Sequence, residues 1–145
     1  MQFYREGYAP AYGAQETWQE ALKDEGFNQM KYLKELMLRF PFFERIPDQS
    51  VIAGTNGERY DRAIATRGND YLLVYNYSAR PMQIDLTKIS GEKKKAWWFN
   101  PQNGSMTYIG ELENKITDFQ YDVPYMRGED RVLVVTDALK DYVKE

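Results

Sequence analysis

The chain has 145 residues, 43% of them hydrophobic and 28% charged, with a formal net charge of −3. That is the composition of one folded domain, alone or with an appendage, and it carries no dominant basic surface for nucleic acid. With neither cysteine nor histidine in the sequence, disulfide scaffolds, thiolate metal sites and every Ser-His or Cys-His catalytic arrangement are excluded.

Residues 1–15 show no hydrophobic period and are rich in Gly, Tyr and Pro, which reads as a loop. Its opening lacks the basic and then apolar order of a signal peptide. Tyr4, Tyr8 and Tyr12, with Arg5 and Glu6, could line a pocket for a polyol, because loops carry binding residues when a rigid scaffold positions them. The same segment could equally be a frayed terminus. Thr17-Trp18-Gln19-Glu20 has the S/T-x-x-E form of a capping box and predicts a short helix to about Glu25, with Gly26 as its stop. A second helix is expected from Asn28 to Phe40. Met30, Leu33, Leu36, Met37 and Phe40 recur there at spacings of three and four, as one buried stripe. Pro41 ends it. A lone helix of this length is marginal in water, so the stripe needs a partner.

From Ser50 onward the pattern is β. Strands are predicted at Val51–Ala53, Tyr60–Arg67, Tyr71–Tyr77, Met82–Leu86, Lys93–Phe99, Met106–Glu111, Ile116–Tyr121 and Arg131–Thr136. Turn residues separate them, among them Asn56-Gly57, Gly68-Asn69-Asp70, Ala79-Arg80-Pro81 and Arg127-Gly128-Glu129-Asp130. The fold class is therefore mainly β, an antiparallel β-sandwich of about 7–8 strands preceded by two N-terminal helices. Tyr71–Tyr75 and Val132–Val135 are continuous apolar runs and read as central strands. Asp137–Glu145 reads as a polar, partly helical tail.

Lys93–Gly104, KKKAWWFNPQNG, is the densest stretch. Neighbouring side chains alternate across a strand, so Trp97 and Trp98 face opposite ways. Trp98 shares its face with Ala96 and is expected inside as a core anchor. Trp97 shares its face with Lys93, Lys95 and Phe99, and is expected to meet a neighbouring domain or stack on a sugar. The three lysines read either as an anionic-ligand surface or as protection of an exposed strand against edge pairing, the second being favoured. Asn103-Gly104 tolerates positive φ and predicts a hairpin from Phe99 into Ser105–Ile109. No acidic pair stands apart by spacing: Glu16/Glu20 and Asp24/Glu25 fall on helix surfaces, Asp48, Glu58 and Asp61 in loops or strand starts, and Asp122 near a strand end. No cofactor and no metal site is expected, and no apolar run reaches the length of a membrane span.

Trp18–Leu22, Gly26–Met30 and Phe43–Gln49 resemble the end of the catalytic barrel in apiosidase-like glycoside hydrolases, a bacterial family. Met1–Tyr4 resembles the stretch just after the last barrel strand. Asp61–Gly68, Tyr71–Tyr75, Ala96–Pro101, Asn103-Gly104 and Arg131–Val135 resemble the small domain that follows that barrel, a type labelled as collagen-binding. The resemblance implies residues 1–45 as the last loop and helices of a (β/α)8 barrel, and 46–145 as a C-terminal β-sandwich. The family's catalytic carboxylates lie on earlier barrel strands and no segment here matches them. What it implies is thus a non-catalytic accessory region whose partners are the parent's barrel and a plant polysaccharide, in a periplasmic or cell-surface enzyme. It places Tyr4, Tyr8 and Tyr12 near the active-site mouth and the helix 28–40 on the barrel's outside. The other readings are a free-standing carbohydrate- or protein-binding module using Trp97 or Trp98, and a hydrolase working with carboxylates alone.

Overall fold

The computed structural model describes residues 17–122 and 130–143. At its start the capping box forms as the spacing predicts. The Thr17 amide donates to Glu20 Oε2 at 2.9 Å, and the Glu20 amide donates back to Thr17 Oγ1 at 3.4 Å. The helix it opens, α1, is a single turn, Trp18–Ala21. The long helix α2 runs Glu25–Arg39. Gly26 is therefore not a stop but the second residue of α2, in the first turn, where the helix starts on the extended backbone of Asp24. Pro41 does end α2, and Arg45 reaches back from beyond it, donating from Nη2 to the Met37 carbonyl at 3.0 Å. That satisfies one of the carbonyls a helix end leaves without a partner.

Nine strands among the described residues form two antiparallel sheets. They are β1 (Ile46–Pro47), β2 (Ile52–Ala53), β3 (Ile64–Arg67), β4 (Tyr71–Asn76), β5 (Met82–Asp85), β6 (Lys93–Phe99), β7 (Met106–Glu113), β8 (Ile116–Phe119) and β9 (Arg131–Asp137). One sheet has the order β1-β3-β4-β9-β6-β7 and the other β2-β5-β8. The expected strands at Val51 and Tyr60 begin later than predicted because both stretches open as 3-10 turns, Gln49–Val51 and Arg59–Asp61. β1 is too short to carry a period-2 signal, and it is absent from the sequence reading for that reason. The hairpin after β6 closes as expected, with Phe99 opposite Met106. Gly104 there has φ +74°, and a Cβ on it would lie 2.4 Å from the Tyr32 ring of α2. Glycine is needed both for the turn and for its approach to the helix.

The apolar runs are central, and for a clear reason: both faces of the six-stranded sheet are covered. Leu72, Val74, Leu133, Val135 and Trp98 point toward the three-stranded sheet and meet Ile52, Ile84, Leu86 and Phe119. On the opposite face Tyr71, Leu73, Val134, Trp97 and Phe99 meet Leu36 of α2, Phe40 just beyond it, and Val143. The molecule is a sandwich with a helix as a third layer. The described part of the tail is neither helical nor simply polar, since residues 138 and 139 turn and Tyr142 and Val143 pack on the sheet.

One tie outside the core links distant stretches, from Asp48 to Arg67. Asp48 accepts from the Ser50 hydroxyl at 2.7 Å and the Ser50 amide at 3.0 Å, and from Arg67 Nε at 2.6 Å. The Ser50 hydroxyl bond first and the Arg67 guanidinium second hold the Asp48 pKa at about 2, below its ordinary 3.8. A carboxyl depressed by folding adds stability that is complete above its unfolded pKa and is lost as pH falls through the folded one. Acid destabilisation between about pH 4 and pH 2 should therefore be shallower in Asp48→Asn. Denaturation midpoints across that range would reject this if the variant kept the wild-type acid slope.

Candidate functional site

Of the positions singled out in the sequence for binding sugar, the structure describes Trp97. Tyr4, Tyr8 and Tyr12 lie outside the described residues. Trp97 and Trp98 do alternate across β6, but neither faces solvent: they are 5% and 8% exposed. The face carrying Trp97 is closed by α2 and the chain's end, so its indole has no free side to offer a sugar. The lysines also differ from expectation. β6 lies between β9 and β7 rather than at an edge, so its lysines guard no free strand. Lys93 pairs with Glu111 at 3.0 Å. Lys94 is fully buried and donates through Nζ to the carbonyls of Ile89 at 3.0 Å and Ser90 at 2.7 Å, and to that of Gly91.

Several carboxylates serve the scaffold. Asp48 holds Arg67, Asp85 caps a 3-10 turn through the Thr87 amide at 3.0 Å, and Asp137 accepts from Ser90 Oγ at 3.1 Å. Asp70 accepts from the Tyr142 hydroxyl and from Lys140 Nζ at 3.0 Å. Among the described residues no group of three or more acidic side chains is placed to hold a metal ion, and no helix is long and apolar enough to cross a membrane.

What stands out is α2. The single buried stripe expected of it is in fact divided, because the sheet covers only its C-terminal half. Leu36 and Phe40 are each 2% exposed, whereas Phe27, Met30 and Leu38 are 52%, 57% and 65% exposed. Leu33 is also exposed. Below Met30 and Leu33 a cavity of about 400 Å³ opens between α2 and the sheet, floored by Ile64, Tyr75 and Pro101. Tyr75 donates to Asp130 at 3.3 Å, and burial, reinforced by the Asp130 charge, pushes its pKa up to about 12. Its hydroxyl therefore stays neutral at any physiological pH. Lys31, Lys34 and Arg39 flank Leu38 on the outer side. Phe42 and Phe43 follow the helix as an exposed edge-to-face pair, ring centres 5.7 Å apart. Such exposed apolar side chains among charged ones are suited to burial against another macromolecular surface rather than to chemistry. A periodicity argument finds the apolar residues of α2 but cannot divide them between two partners.

Residues 46–136 match the family described as "Putative collagen-binding domain of a collagenase". Residues 1–44 match that described as "Apiosidase-like, catalytic domain". Two solved structures are similar over 99% of the chain, each with a TM-score of 0.90. One is described as a glycoside hydrolase and is 64% identical. The other is a glycoside hydrolase family 5 protein from Bacteroides vulgatus and is 67% identical. The chain spans 32% of the length of each. No curated protein matches it.

Proposed function

The chain belongs, through residues 46–136, to the family described as a collagen-binding domain of a collagenase, and on that premise we propose that it is the non-catalytic C-terminal accessory region of a glycoside hydrolase. In this reading residues 1–45 complete the catalytic barrel and 46–145 form a sandwich that buttresses it. One observation carries the proposal. α2 lies inside the segment that matches a catalytic domain, packs Leu36 and Phe40 on the sandwich, and turns a second apolar face outward. A helix with two apolar faces belongs to two cores. The second core is that of the barrel, with Phe27, Met30 and Leu38 as the buried contacts. Tyr4, Tyr8 and Tyr12 then stand near the active-site mouth, since barrel sites are built from the loops at strand C-termini. The parent works on a plant polysaccharide in the periplasm or at the cell surface.

In the parent enzyme, Phe27→Asp together with Leu38→Asp should lower the melting temperature of the barrel. The same pair in this chain alone should leave its melting temperature nearly unchanged, because both side chains are exposed here. A parent that melts as before would remove the two-core reading. Turnover of a nitrophenyl glycoside by this chain alone would overturn the non-catalytic assignment.

A further inference from the structure

We propose that Tyr142–Val143 is a strap that pins the end of α2 and the turn after it onto the six-stranded sheet, so that docking of the helix depends on the chain's far end. The inference concerns this chain alone and does not rest on the identity of the outer partner of α2.

Phe40, the first residue beyond α2, forms a three-ring cluster with two tyrosines. Tyr71 of β4 stacks on it at 4.8 Å and 22°, and Tyr142 leans against it at 5.3 Å and 58°. Tyr71 and Tyr142 themselves meet edge to face at 6.1 Å. Each tyrosine is fixed by its hydroxyl. Tyr71 donates to the Pro41 carbonyl at 2.8 Å, while Tyr142 donates to Asp70, which lies 3.0 Å away through either carboxyl oxygen. Lys140 Nζ stands 3.0 Å from the same carboxylate, so two residues of the tail converge on Asp70. Burial and the negative Asp70 hold the Tyr142 pKa up to about 12, which keeps the hydroxyl a donor.

The helix has little else to hold it. Of its own residues only Leu36 is fully buried, and its N-terminal half faces outward. Beyond the rings, the segment after the helix is tied to the sheet side by Asn69 Nδ2 donating to Glu44 at 3.3 Å. With Tyr142 removed, Phe40 loses one of its two ring neighbours, and this segment is then held by Leu36 and Tyr32 of α2, the Tyr71 ring and the tie to Asn69. The six-stranded sheet loses only the edge contact at Tyr71 and the bond at Asp70, while the core between the two sheets is untouched, because Leu72, Val74, Leu133 and Val135 face that core. A segment held by few buried contacts opens locally without global unfolding.

Amide hydrogen exchange on the whole chain tests the strap. In Tyr142→Ala, exchange across residues 36–44 is expected to accelerate roughly tenfold or more, with the amides of β4 and β9 unchanged. Tyr142→Phe keeps the ring and loses only the Asp70 bond, so a smaller acceleration in the same segment is expected. Unchanged exchange in residues 36–44 would overturn the proposal. So would uniform acceleration across both sheets, which is the signature of an ordinary core residue. If the alanine variant does not fold, the phenylalanine variant decides by the same two criteria.

Discussion

Trp98→Ala is expected to destabilise the chain by about 3–5 kcal/mol, a large part of the total stability of a domain this size. Trp98 fills the space between the two sheets, with Phe119 edge-on at 6.4 Å and Tyr121 at 5.4 Å. Truncation removes the transfer free energy of the indole and leaves a cavity whose walls are strands of both sheets, which cannot collapse independently. Trp98→Phe keeps most of the volume and should cost clearly less. Urea unfolding followed by far-ultraviolet dichroism measures both. A loss under about 1 kcal/mol for the alanine variant would mean that Trp98 does not anchor the core.

The second large effect is expected at Lys94. Three carbonyls, of Ile89, Ser90 and Gly91, surround its Nζ. An ammonium has three N–H donors and matches them one for one, whereas a neutral amine supplies only two. Burial pushes the Lys94 pKa down, and the Asp137 carboxylate opposes that. Asp137 also receives the Ser90 hydroxyl, so lysine and aspartate together fix the loop that leads into β6. Gly91 belongs to the same arrangement. Its φ is +96°, and a Cβ there would lie 2.5 Å from the Asp137 carboxyl group. Lys94→Met preserves the aliphatic volume but leaves the carbonyls without donors, at a cost of about 2–3 kcal/mol. Lys94→Ala adds a cavity and should cost more. If the methionine variant were as stable as wild type, the carbonyl cage would be incidental to folding.

Lys94 also shows where a linear reading fails. KKKAWWF reads as an edge strand because three lysines look like edge protection. Strand order is a long-range property, and β6 becomes interior only when β9, some 35 residues later, pairs with it as Lys94 opposite Asp137. The alternation argument survived at Trp97 and Trp98, since pleating is local. Of the two expectations for the Trp97 face, packing against another segment is what the structure shows, and stacking on a sugar is left no open surface. A helix from the other end of the sequence, together with Val143, covers the second face. Gly26 failed for a different reason. A glycine at a helix end and one in a first turn look alike in sequence, and the distinction depends on where hydrogen bonding restarts, here with the Asn28 amide donating to the Asp24 carbonyl at 3.1 Å.

Features that depend on neighbours in the chain are legible in the sequence. The capping box at Thr17, the end of α2 at Pro41, the hairpin at Asn103-Gly104 and the antiparallel β character all rest on local backbone chemistry and period-2 patterning. The absence of cysteine and histidine likewise excluded whole classes of chemistry before any fold was known. Tertiary packing sets which residues of α2 face the sheet and which face away. It also buries both indoles and seats a lysine in a cage of carbonyls. Each of these depends on segments far apart in the sequence meeting in space, and burial belongs to the surface that covers a residue rather than to the residue itself.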